Sequence, residues 1–80
     1  MTAAMADPIR IYVALLDESV EVWRPVDATH VDADSYRILG VNEAPEDERW
    51  EFEEGTLVRC RARSFADGSA GLVAFEKVPK

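Results

Sequence analysis

Residues 20–40, VEVWRPVDATHVDADSYRILG, decide the fold. Two runs rich in β-branched and aromatic residues flank Asp32-Ala33-Asp34, a short polar turn. Pro25 lies inside the first run. A proline donates no ladder hydrogen bond, so it belongs at a sheet edge or a bulge. A bulge there would shift the side-chain phase and turn Trp23 inward with Val26. Short strands joined this tightly argue for a small, strongly curved antiparallel sheet, and so for a small β-barrel.

The rest of the chain fits this frame. In residues 9–16, Ile9, Ile11, Val13 and Leu15 alternate with Arg10, Tyr12, Ala14 and Leu16, giving one apolar face and one mixed face. Asp17-Glu18-Ser19 is the turn into a strand over 20–31, and a third strand covers 35–39. Residues 41–49 hold Pro45 and a run of acids and read as a loop, and Trp50-Glu51-Phe52 is a short alternating stretch. Strands over 56–65 and 70–77 flank Ala66-Asp67-Gly68-Ser69, and Asp-Gly between two alternating runs signals a hairpin. With Asp67 and Gly68 as its two central residues, Ala62 faces Val73, Cys60 faces Phe75 and Arg59 faces Glu76. Cys60, Ala62, Val73 and Phe75 would then share an apolar face. No segment has a helical period. Residues 1–8 read as a flexible tail and 9–78 as a single domain. The expected fold is all-β, a five-stranded antiparallel SH3-like barrel.

Composition narrows the function classes. Eighty residues make one domain with a modest core. Cys60 is the only cysteine and His30 the only histidine, so neither a disulfide framework nor a zinc site is expected. The formal net charge of -7 repels phosphate backbones and disfavours nucleic acid as a partner. No basic segment followed by an apolar stretch opens the sequence, and no apolar run approaches the roughly 20 residues of a membrane span. The sequence expectation is a soluble, cytoplasmic protein without cofactor or metal. The heavy use of Ala, Asp and Arg suggests a GC-rich bacterial source.

Four groups of residues could carry function. Arg59, Arg61 and Arg63 project from one face, as an anion-binding row or as a solvated outer face. Glu43, Glu46, Asp47, Glu48, Glu51, Glu53 and Glu54 crowd one segment against Arg49 alone, without the spacing of a calcium loop. Some of the aromatics Tyr12, Trp23, Tyr36, Trp50, Phe52, Phe65 and Phe75 could form a cage for a cation, or fill a small core. Cys60 lies mid-strand on the apolar parity, which predicts an inert buried thiol rather than a nucleophile paired with His30. With no phosphate loop, nucleophile elbow or HExxH motif, an enzyme is not expected.

Trp23-Arg24-Pro25-Val26, Tyr36-Arg37-Ile38, Trp50-Glu51-Phe52 with Gly55, and Val58-Arg59-Cys60 resemble a group of small uncharacterised bacterial proteins. That resemblance spans Ile9 to Glu76 and implies no activity. Residues 22–40 also look like the core of SH3-like and Tudor-like barrels, in which an early Trp strand precedes an acidic turn and a Tyr-x-Ile strand. The resemblance implies a barrel fold, and for the Tudor type recognition of methylated side chains by an aromatic cage.

The expected function is a non-enzymatic interaction module that binds a protein or peptide, basic in character. Its surface would be built from Trp50, Phe52, Glu51 and Glu53, with Trp23. The alternatives are a small acidic immunity or inhibitor protein, a nucleic-acid accessory module using the arginine row, and a self-associating structural subunit, such as a homodimer.

Overall fold

The computed structural model describes residues 8–79, so the expected tail up to residue 7 lies outside it. Six strands are present: β1 (Ile9–Leu16), β2 (Trp23–Asp32), β3 (Ser35–Ile38), β4 (Arg49–Trp50), β5 (Leu57–Ser64) and β6 (Ala70–Lys77). The protein is all-β, with no helix among the described residues. Hence no helix there is long and apolar enough to cross a membrane.

The sheet runs β2-β3-β5-β6-β1-β4, and β1 also pairs with β2, so the chain of pairings returns on itself. Most neighbours are antiparallel, but β1 and β6 pair in parallel, at Tyr12↔Val73. Five strands alternating in direction force this: when their ring closes, the first and last point the same way. The two-residue β4 is the strand beyond the expected five, pairing Trp50 with Leu15 and Arg49 with Leu16.

The alternation read in β1 sets the core. Ile11 and Val13 are fully buried, and opposite them stand Val26, Ala28, Ile38, Val58, Cys60 and Ala74. β1 and β2 stay in even register from Ile9↔Ala28 to Ala14↔Trp23, so no bulge sits at Pro25. Trp23 therefore keeps the parity opposite Val26 and faces outward. The irregularity in β2 comes later, between His30 and Asp32, where Val31 is left over before the tight turn at Ala33-Asp34. Pro25 is still an edge residue. Leu15 N–H donates to Val22 O (3.0 Å), which makes Leu15–Val22 a hydrogen-bonded pair. Alternation then aims the backbone of Pro25 away from β1, where its missing N–H breaks no ladder bond.

The hairpin register departs from expectation. Ser64 pairs with Ala70, Ala62 with Leu72 and Cys60 with Ala74, one residue away from the two-residue-turn alignment. Phe65 N–H donates to Ser69 O (2.7 Å) and Gly68 N–H to Phe65 O (3.0 Å), so the loop is Ala66-Asp67-Gly68, with Gly68 at φ +92°. A three-residue loop closing on a left-handed glycine is the common alternative to the two-residue turn. A register shift between Arg59 and Cys60 restores the Arg59↔Glu76 pair. Ala74 consequently takes the buried place beside Cys60, and Ala62, of the same parity as Cys60, is exposed. Val73 is buried too, at 2% exposure, but outside the core cluster, on the face it shares with Arg61.

Candidate functional site

The loop between β3 and β4 folds back on β2 and leaves an open cleft of about 420 Å³. Glu48 organises it. Arg24 of β2 grips the Glu48 carboxylate with two nitrogens, Nε at 3.0 Å from Oε1 and Nη2 on Oε2. Trp50 Nε1 donates to Glu48 Oε1 (3.1 Å), and Asn42 Nδ2 donates to Glu48 O (2.7 Å). The loop closes on itself through Asp47 and Glu48 N–H donating to Ala44 O, and through Ala44 N–H donating to Asn42 Oδ1. The Arg24 bond, followed by the Trp50 bond, holds the Glu48 carboxyl below its usual range. The same pairing raises the Arg24 guanidinium.

The structure separates the aromatic residues into two groups. Trp50, 6% exposed, belongs to the core, with Phe52 and Tyr36 packed against it. Trp23 stands on the outer face with Phe65 (centroids 6.3 Å apart), and Phe65 meets Tyr12 edge-on at 5.0 Å. Trp23 and Trp50 thus lie on opposite faces of the sheet and share no surface. Among the described residues, Trp23 Nε1 is the buried side-chain polar atom without a hydrogen-bond partner. Neither this outer cluster nor the Glu48 clasp was visible in the sequence. Plain alternation gives the outward phase of Trp23, and the bulge expected at Pro25, which would have turned it inward, is absent.

The charged residues divide as sharply. In the arginine row, Arg59 binds Glu76 (2.5 Å) and lies 4.0 Å from Asp34, and Arg63 binds Glu21 (2.5 Å). Arg61 lies over the Phe75 ring (4.8 Å), and Arg63 also covers Trp23 (5.2 Å). In the acidic segment, Glu48 pairs with Arg24 and Arg49 pairs with Asp17 (2.8 Å). Glu43, Glu46, Asp47, Glu51, Glu53 and Glu54 are all exposed, and none forms an ion pair among the described residues.

Cys60 is buried, and burial, followed by the nearby Asp34 charge, pushes its thiol up to about 11. A neutral thiol at neutral pH is a poor nucleophile. His30 instead bonds the backbone of its own turn, Nε2 to Ala33 O at 2.7 Å, and its ring lies tilted against Tyr36 (centroids 5.0 Å apart). Comparison with protein-family models, curated proteins and solved structures finds no match.

Proposed function

We propose that the protein is a non-enzymatic interaction module, a five-stranded SH3-like barrel with β4 as an appendage, that binds a basic segment of a partner protein. One observation carries this reading. Six exposed carboxylates between Glu43 and Glu54 form no ion pair among the described residues, whereas Arg59 and Arg63 of the arginine row are already paired. Uncompensated charge of one sign steers a partner of the other and sets its on-rate. Glu51 and Glu53 are the residues placed to select the ligand. Phe52 contributes its partly exposed edge between them, while Trp50 supports the segment from below. An inhibitor masking a basic active site would use the same face.

The test is titration of the isotope-labelled protein with a lysine- and arginine-rich peptide, followed by NMR. The amides of Glu51, Phe52 and Glu53 should shift, and the double substitution Glu51→Lys, Glu53→Lys should weaken binding at least tenfold. Capture from lysate at low and moderate salt would then identify the partner. Shifts confined to other faces, or binding that survives the charge reversal, would overturn the assignment.

A further inference from the structure

β5 runs past its neighbour. β3 covers it only as far as Ser35↔Arg59, and the last backbone bond on that side is Cys60 N–H to Asp34 O (2.9 Å). Residues 61–64 have β6 on one side and, among the described residues, no strand on the other.

The hairpin fixes where their backbone groups point. Phe65 N–H donates to Ser69 O, so Phe65–Ser69 is a hydrogen-bonded pair. Pair types alternate along an antiparallel ladder. Arg63–Gly71 and Arg61–Val73 therefore exchange bonds with β6, and the N–H and C=O of Ala62 and Ser64 aim at the open side. Cys60, of the same parity, points its N–H that way to reach Asp34. Ala62 and Ser64 are both exposed.

Proteins usually blunt such edges. The free stretch at the start of β2 is blunted by Pro25, and by Leu39 and Gly40, whose N–H groups both donate to Asp27 O. Residues 61–64 contain no proline, lysine or register shift. Their two arginines are folded onto the outer face, over Phe75 and Trp23, and leave the backbone open.

We infer that residues 61–64 are a docking edge for an extended acidic segment of a partner protein, which adds a strand beside β5. Charge selects the occupant. Side chains opposite Arg61 and Arg63 on an added strand would stand with Cβ atoms about 4.5–5.5 Å away, so an acid meets Arg61, which forms no ion pair among the described residues, and a second joins Arg63 beside Glu21. The same geometry bars a second copy. Two-fold pairing within this four-residue edge sets Arg61 against Arg63, or Arg63 against itself, and like charges opposite one another are destabilising. The small side chains of Ala62 and Ser64 leave room on the other face for apolar residues between the acids. This edge is separate from the acidic segment and stands independently of the function proposed for it.

A blocked seven-residue peptide alternating glutamate and valine, with threonine at its ends, is the probe. On its addition the Ala62 and Ser64 amides should show the largest NMR shifts and should exchange with solvent several-fold more slowly, with Glu51 and Glu53 unmoved. Ala62→Pro removes the outward N–H without touching a β5–β6 bond, and should lower affinity about tenfold or more. Arg61→Glu keeps the backbone intact, and should weaken binding of this peptide several-fold, because a glutamate then stands opposite a glutamate. Unmoved Ala62 and Ser64 amides at millimolar peptide, or equal binding by Arg61→Glu, would overturn the inference. So would a dimer of the free protein that Ala62→Pro dissolves, since a second copy would then hold the edge.

Discussion

Gly71 is where the outer face of the sheet accepts an aromatic ring. A Cβ at this position would stand 2.6 Å from Tyr12 Cε1 and 3.3 Å from Phe65 Cε2. The Tyr12 ring cannot retreat freely, because Phe65 packs edge-on against it. Gly71→Ala should therefore destabilise the fold by about 1–3 kcal/mol, the usual cost of overpacking. Urea unfolding measures it. In a Tyr12→Ala background the same substitution should cost far less, because the clash has lost its partner. Equal cost in both backgrounds would show that the outer cluster does not set the constraint. Trp23 belongs to this cluster, so alternation gives its outward direction but not its partial burial. Outward parity normally means solvent, but here the outer face carries its own apolar patch.

At the scale of elements, the Glu48 clasp is the device that fastens a loop to a strand. Its carboxyl is held below the ordinary 4.5 by Arg24 and then Trp50. A depressed folded-state value means that the stabilisation is fully present above pH 4.5 and is lost as pH falls through the lower, folded value. The Trp50 indole N–H resonance should report this directly. It should titrate with a midpoint below 4.5, and Arg24→Ala should move that midpoint upward. Glu48→Gln should abolish it and speed exchange of the Ala44 and Asp47 amides. A midpoint at or above 4.5 would mean that the clasp is not formed in solution. Much of the strand pattern was legible. Residues 70–77 match β6 end to end, and the Ile9-Ile11-Val13 face is the core. What was not legible is long-range. The register of β5 on β6 depends on whether Asp67-Gly68 closes a two- or a three-residue loop, and the sequence suits both. β4 is two residues long and depends on Leu15 and Leu16 beside it, and the local alternation at Trp50-Glu51-Phe52 overlaps it only at Trp50. Glu48 looks like any member of an acidic run until Arg24, 24 residues away, is brought to it.

The whole molecule carries a charge of -7 on 80 residues, and its charges are unevenly compensated. The six ion pairs among the described residues are mostly solvent-exposed, the kind that contributes little and is screened by salt. Against them stand the six carboxylates between Glu43 and Glu54 that form no ion pair among the described residues and repel one another at no benefit to the fold. Salt should therefore act in opposite directions on stability and on binding. Raising NaCl from about 10 mM, where the Debye length is roughly 30 Å, to about 1 M, where it is roughly 3 Å, removes most of that repulsion. Tm should rise by about 2–5 °C, a shift of the size that a few tenths to one kcal/mol produces in a domain this small. Replacing Glu51 and Glu53 by Gln should raise Tm at low salt and flatten its salt dependence. Affinity for a basic peptide should fall over the same salt range, because screening removes the attraction along with the repulsion. A Tm that falls with salt would place the dominant electrostatic term in the ion pairs and leave the acidic face without the excess field a basic partner needs. Opposite slopes for Tm and affinity, both reduced by the Glu51 and Glu53 substitutions, would tie the same carboxylates to a cost in folding and a gain in recognition. That trade is expected where a surface is kept for a partner rather than for the fold.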